Sequence, residues 1–262
     1  MIDHETYLAF ATKLAHQAGD IMLEHFQIGI DRDTKTDNTP VTVADLKINQ
    51  LVIDTVRQTY PTHSILAEEG SHLEPNATHV WVCDPIDGTF PYTLGVPTST
   101  FSLALVVAGK PEVAVIYDPY TKRLYRATVG KGAFVNDQRL QVSSHISLKN
   151  THVGVAVYKT EQLDIAGLNA ELMEQGIWGL SYLCITYEGT LVALGQFSGA
   201  TFAFTSPWDI AALKLIVEEA GGTVTDLYGR EQRYDQPIRG AIISNSHVHD
   251  TLVSIVKKHL LP

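Results

Sequence analysis

The stretch Trp81–Thr89, W-V-C-D-P-I-D-G-T, constrains the fold of this chain more than any other. Val80–Cys83 is an apolar run of a length that suits a buried strand. It leads directly into two carboxylates, Asp84 and Asp87, and then into Gly88 and the hydroxyl of Thr89. Pro85 has no N–H to give to a ladder, so the strand is expected to end near Asp84. Gly88 permits a sharp turn and a close approach of a ligand to the backbone. The acids are thus expected at the carboxyl end of a strand, beside free backbone N–H groups. Hard divalent cations take oxygen ligands, and Mg²⁺ is commonly held by carboxylates together with substrate phosphate. The N–H groups after Asp87 are placed to hold an anion. The same letters also serve as ordinary turn chemistry, because Asp, Pro and Gly favour turns for local reasons. Other segments have to decide between the two.

The first of these follows an amphipathic helix over Tyr7–Phe26, on which Leu8, Ala11, Ala15, Ala18 and Met22 share a face. In Lys35–Asp45, K-T-D-N-T-P-V-T-V-A-D, Thr42 is a good N-cap for a second helix running to about Tyr60. Asp45 stands three residues on, as in a capping box. An acid in a first helical turn can also orient a neighbouring hydroxyl. Ser64–Ala67 is a short strand candidate that ends in Glu68–Glu69–Gly70. Adjacent glutamates usually form a solvated pair. Here they follow a strand and precede Gly, as Asp84–Gly88 does, so Glu68 is a candidate third metal carboxylate.

Ser99–Val107, Glu112–Asp118, Arg123–Thr128 and Gly132–Val135 read as strands joined by short turns, the first at Ala108–Pro111. Long strands with short loops predict an antiparallel sheet, covered on one face by the two opening helices. From about Lys149 the grammar changes. Strands at Thr151–Val157, Ile177–Gly179, Ser198–Phe204, Thr223–Asp226 and Ala241–Ser244 alternate with helices at Glu161–Glu174, Thr186–Leu194, Pro207–Gly222 and His247–His259. That alternation predicts a second half of α/β type. The division expected is residues 1–148, an α+β half with most of the candidate ligands, and 149–262, an α/β half carrying Asp209. Asp209 lies in the first turn of the Pro207 helix, where an acid also complements the helix dipole. Among eleven histidines the close pair is His247 and His249, which reads as surface rather than ligand.

Length and charge narrow the function. The chain has 262 residues, enough for one large domain or two small ones. Its formal net charge of -10 argues against sequence-independent nucleic-acid binding, which relies on Lys and Arg. A small anionic substrate remains compatible if metal ions supply positive charge. Two cysteines, Cys83 and Cys184, in no C-x-x-C arrangement predict buried free thiols in a reducing cytoplasm. No signal peptide and no apolar run long enough to span a bilayer stand in the sequence.

Four segments in order, Pro40–Asp45 (P-V-T-V-A-D), Ala67–Gly70 (A-E-E-G), Trp81–Thr89 and Trp208–Gly222 (W-D-I-A-A…E-A-G-G), resemble the inositol monophosphatase family of Mg²⁺-dependent, lithium-sensitive sugar phosphatases. The resemblance spans almost the whole chain. It implies an α+β fold, a layered α-β-α-β-α sandwich, and hydrolysis of a small phosphate monoester. It further implies a set of site residues. Glu68, Asp84 and the Ile86 carbonyl would hold a first metal. Asp84, Asp87 and Asp209 would hold a second, and Glu68 would contribute to a weaker third. Thr89, supported by Asp45, would position the attacking water, and the N–H groups of Gly88 and Thr89 would hold the phosphate. The cofactor implied is Mg²⁺, two or three per subunit, with Mn²⁺ or Ca²⁺ able to occupy the same sites. The partners implied are a small phosphorylated metabolite and a second copy of the chain in a cytoplasmic homodimer, with no nucleic acid and no membrane.

The chemistry fits those residues. A phosphate monoester repels an incoming oxygen nucleophile, and cations offset that charge while acidifying water. Two departures from the family pattern stand out. Phe90–Pro91–Tyr92 replaces a segment that often carries Asn, and Leu183–Cys184–Ile185–Thr186 falls on the family's Gly-Ser/Thr-Ala-Ala. Both read as substrate-facing changes that leave the metal carboxylates intact. No acidic residue lies between Gly189 and Trp208, where inositol-selective relatives place one against the sugar hydroxyls. A broad or non-inositol preference is therefore expected. The alternatives are fructose-1,6-bisphosphatase, histidinol-phosphate or nucleotide phosphatase activity on the same fold, and, in another class, a non-catalytic metal-binding regulator.

Overall fold

The computed structural model describes residues 3–30, 32–34, 40–155 and 160–262. Part of the Lys35–Asp45 segment and the end of the Thr151–Val157 strand lie outside the described residues.

In chain order the first half carries α1 (His4–His25), a short pair β1 (Asp33–Thr34) and β2 (Pro40–Val41), α2 (Val43–Thr59), β3 (Ser64–Ala67), β4 (His79–Asp87) and α3 (Thr89–Thr93). Strands β5 (Thr100–Val107), β6 (Lys110–Asp118), β7 (Arg123–Thr128), β8 (Gly132–Val135) and β9 (Gln138–Arg139) follow. Then come β10 (His152–Val155), α4 (Ile165–Glu174), β11 (Trp178–Leu180), α5 (Ile185–Ala193), β12 (Gly199–Phe202), a 3₁₀ turn (Pro207–Asp209), α6 (Ala211–Glu219), β13 (Gly222–Thr225), β14 (Ala241–Asn245) and α7 (His249–Lys258).

Strands β3 to β9 form one seven-stranded sheet in sequence order. Only its β3–β4 pair is parallel. Both of its faces are buried, and side chains alternate between them with the strand period of two. On β5, Phe101, Leu103 and Leu105 join α1 and α2, while Ala104 and Val106 face α6. Full burial of a Leu or Phe contributes about 1.5–3 kcal/mol each. The β5–β6 turn is tight because Ala108 (φ 51°) and Gly109 (φ 86°) both adopt the left-handed region, as a two-residue hairpin turn requires.

The second sheet has the order β11-β10-β12-β14-β13. Strands β11, β10 and β12 run parallel, and β14 is antiparallel to both neighbours. Its inner face shares a core with α5, α6 and the first sheet. Its outer face packs on α4 and α7 through Val153, Leu168, Leu172, Leu252 and Val256. The layers therefore run α-β-α-β-α, the α+β sandwich expected.

Several expectations are corrected. Strand β4 does not stop at Asp84 but runs to Asp87 through a register shift between the two acids. Pro85 sits in that irregularity, where its missing N–H costs no ladder bond. Helix α4 starts at Ile165, because Asp164 caps it by accepting from the Gly167 amide. Pro207–Gly222 is a 3₁₀ turn followed by α6, with Ile210 (φ -118°) between them. His249 is buried rather than on the surface. Its ring contacts the hydroxyls of Thr225 and Ser244 at 3.0 and 2.8 Å, and burial lowers its pKa. His247 is exposed.

Candidate active site

The register shift in β4 builds the site. Asp84 pairs with Ser102 and Asp87 with Thr100, so three steps along β4 face two along β5. Residues three apart in a regular strand point to opposite faces. One extra residue in a bulge re-aims the chain, and Asp84 and Asp87 converge. Asp209 reaches them from the 3₁₀ turn. Ligand oxygens of Asp84, Asp87 and Asp209 all lie within 4.8 Å of one another.

Such a cluster is costly without positive charge. Asp84 is 1% exposed, and its pKa is pushed well above the ordinary range, by burial first and then by the charges of Glu68, Asp87 and Asp209. Its buried Oδ1 has no hydrogen-bond partner. Buried polar atoms are almost always satisfied, and an orphaned carboxylate oxygen among three other acids has the donor chemistry of a hard-cation site. The residues fit Mg²⁺.

Glu68 lies outside the tight triad. Its amide donates to the Cys83 carbonyl at 3.3 Å, which continues the parallel pairing of β3 with β4. That pairing brings it beside Asp84, where it is the strongest of the neighbouring charges. Ile86 is buried between the two aspartates, and its carbonyl accepts from the Thr89 hydroxyl at 3.0 Å.

Asp45 uses its two oxygens separately. Oδ2 accepts from the Thr42 amide at 2.8 Å and the Thr42 hydroxyl at 2.5 Å, and the Thr42 hydroxyl accepts from the Asp45 amide at 3.4 Å. The capping box expected from sequence is formed. Oδ1 faces Thr89, whose hydroxyl lies 3.4 Å away. The cap orients the acid that the hydroxyl meets. Gly88 stands at the head of α3 with φ 82°. A Cβ there would come within 3.0 Å of the Cys184 Cβ. Both conformation and space require glycine.

The segment 183–186 does not stand apart from the carboxylate cluster. The Thr186 amide and hydroxyl each donate to Asp87 Oδ2 at 2.5 Å. The Cys184 thiol donates to the same oxygen at 3.3 Å. The Thr100 and Thr186 hydroxyls are hydrogen-bonded to each other. Thr100, Cys184 and Thr186 are thus site residues that local motifs did not reveal. The one local signal was the departure at 183–186, where Cys184 stands on the family's Ser/Thr and Thr186 on an Ala. Burial pushes both thiols up, Cys83 beside Glu68 and Cys184 beside Asp87, so neither is an activated nucleophile. Below this loop Glu188 is buried, and its Oε1 accepts from the Ser181 hydroxyl at 3.1 Å and the Tyr182 amide at 2.6 Å.

The inositol monophosphatase family model matches residues 3–261. The chain belongs to the inositol monophosphatase family. It is 34% identical over 232 residues to "Nus factor SuhB" of Salmonella typhimurium, covering 85% of each chain. It is 32% identical over 257 residues to the "Fructose-1,6-bisphosphatase/inositol-1-monophosphatase" of Thermotoga maritima, covering 96% of each. The solved structure of a Thermotoga maritima IMPase superposes with a TM-score of 0.87 at 29% identity, over 97% of each chain. These relatives support a phosphatase of this family. Among the described residues no helix is long and apolar enough to cross a membrane.

Proposed function

We propose that the protein hydrolyses a small phosphate monoester with Mg²⁺ and water. The observation that carries this reading is the convergence of Asp84, Asp87 and Asp209, with a buried Asp84 oxygen that has no protein partner. In this reading Glu68, Asp84 and the Ile86 carbonyl hold one cation. Asp84, Asp87 and Asp209 would hold a second, and Glu68 would contribute to a weaker third. When bound, the cations offset phosphate charge, acidify water and stabilise the leaving oxygen.

The chain's own groups orient the reactants. The Thr89 hydroxyl has the Ile86 carbonyl at 3.0 Å and Asp45 Oδ1 at 3.4 Å as acceptors for its one proton; it positions the water, and as its own proton turns to Asp45 its oxygen takes one from the water. The Gly88 and Thr89 amides hold the phosphate. No side chain need act as a covalent nucleophile, because phosphoryl transfer asks mainly for alignment and charge stabilisation.

The substrate is read as broad. Residues 190–207 contain no carboxylate, and β12 contributes the buried Phe202 near the centre of that stretch. The Thermotoga relative is named for two activities. The exposed Trp178 and Leu180 on the edge strand β11 support the homodimer that the resemblance implies.

The SuhB relatives are named as Nus factors, so a regulator that keeps the metal site without turnover is the second reading. The intact acidic triad with Thr89 beside it favours turnover. Colorimetric phosphate release separates the two. Release with Mg²⁺ that stops in chelator supports the phosphatase. No release from glycerol phosphates, sugar phosphates, inositol phosphate or nucleotide monophosphates overturns it.

A further inference from the structure

We propose that Thr186 is a positioning residue that sets the cation affinity of Asp87, through a hydroxyl relay running from Thr100. The inference rests on the metal reading above and assigns a part to a residue outside the ligand set.

Asp87 does not stand alone at the end of β4. One of its oxygens, Oδ2, receives the Thr186 amide, the Thr186 hydroxyl and the Cys184 thiol. None of these bonds reaches Oδ1. The Ile185 amide is a further donor to the same carboxylate, so the head of α5 fixes the direction in which Asp87 faces the other acids. These donors come from the other half of the chain, since Thr186 lies in the first turn of α5. The first amides of a helix have no partner within it, and Cys184 supplies no side-chain cap. Asp87 takes that place, so a helix N-terminus and a carboxylate satisfy each other.

The hydroxyl adds what the amide alone cannot. Thr186 has one proton, and with that proton on Asp87 its oxygen accepts from the Thr100 hydroxyl. Thr100 is the β5 partner of Asp87 across the bulge. The relay Thr100–Thr186–Asp87 therefore closes a ring through the sheet pairing. All three residues are buried, and hydrogen bonds in series polarise one another in a low-dielectric site. Hydrogen-bonded partners that orient metal ligands typically change metal affinity ten- to a hundredfold when removed.

The test is Mn²⁺ binding, read as free Mn²⁺ by electron paramagnetic resonance on the purified, chelator-treated full chain. Thr186→Val removes the hydroxyl and keeps the amide and the shape. Its weaker Mn²⁺ site is expected to lose about tenfold in affinity, while Thr186→Ser stays close to wild type. The metal-free melting temperatures of the three proteins are compared alongside, because a purely structural role moves those and spares affinity. A loss of less than about fivefold for Thr186→Val overturns the proposal, as does a Ser variant that loses about fivefold or more. If the Val variant does not fold, Thr186→Ala is judged by the same threshold. If wild type binds no Mn²⁺, the metal reading itself fails. Equal binding by wild type and Thr186→Val removes only the positioning role.

Discussion

Thr186 donates both its amide and its hydroxyl to a single oxygen of Asp87, each at 2.5 Å. The two residues lie 99 positions apart. One closes β4 of the first sheet and the other opens a helix of the second half. The candidate site is therefore a seam: Asp84 and Asp87 come from one side, Asp209 and the donors to Asp87 from the other. The predictions below test separate parts of that seam.

Removing a carboxylate from the triad is expected to help the metal-free fold. Burial and three neighbouring acids disfavour the charge on Asp84, so Asp84→Asn relieves repulsion. Melting curves in chelator should place Asp84→Asn at or above wild type, while added Mg²⁺ should stabilise it less. A clear loss of stability in chelator would show that Asp84 is held by favourable bonds instead. Asp209→Asn should chiefly weaken the second cation site. Li⁺ should inhibit wild type at up to about tens of millimolar, as an ion competing at a Mg²⁺ position.

Thr89→Ala should act on turnover. Its hydroxyl is fixed by the Ile86 carbonyl and Asp45 and is assigned to the attacking water, so its loss is felt in the transition state. A fall in kcat of about a hundredfold is expected, at the low end for proton-transfer groups, with KM changed far less. Steady-state kinetics decide it, and a change confined to KM would move Thr89 to substrate binding.

Glu188 should couple stability to pH. Burial pushes its carboxyl up to about 7, against an unfolded value near the ordinary 4.5. The native state then binds the proton more tightly, so this contribution is full below about pH 4.5 and is lost as pH rises through about 7. Glu188→Gln keeps an acceptor for Tyr182 and Ser181 but cannot ionise. Relative to wild type it should gain about 3 kcal/mol of stability between pH 4.5 and pH 8. Urea unfolding in chelator at both pH values measures the difference. No change, or a change of the opposite sign, refutes it.

Substrate choice should be permissive. A carboxylate that accepts from two ring hydroxyls gives directional, charge-assisted bonds, and sites without such bonds discriminate weakly. Comparison of kcat/KM across inositol 1-phosphate, glycerol phosphates, sugar phosphates and nucleotide monophosphates should show preferences below about a hundredfold, or about 2.7 kcal/mol. A stronger preference for inositol 1-phosphate would mean that another loop or the second subunit supplies the missing acid.

Much of this was legible in the sequence where the cause is local. The Thr42–Asp45 capping box and the strands from Ser64 to Val135 follow from spacing and turn chemistry, while the layered fold came from the family resemblance. The bulge after Asp84 was not legible, because it is defined by pairing with Thr100 and Ser102 on the next strand. Reading Pro85 as a strand end missed what lets acids three apart share a side. The Thr186–Asp87 contact is long-range in the same way. The burial of His249 did carry a signal. With Leu252, Val253 and Val256 it follows helical spacing on the buried face of α7, whereas reading the histidine pair by its position at the helix start ignored the face.

The central claim is that Asp84, at the meeting point of the acids, makes phosphate release depend on a divalent cation. The most direct measurement is a Mg²⁺ titration of phosphate release by wild type and Asp84→Asn on one accepted substrate. Wild-type activity should rise from none in chelator to a plateau, and Asp84→Asn should stay near background throughout. Wild-type release that persists in chelator, or turnover by Asp84→Asn matching wild type at modest Mg²⁺, would contradict the account.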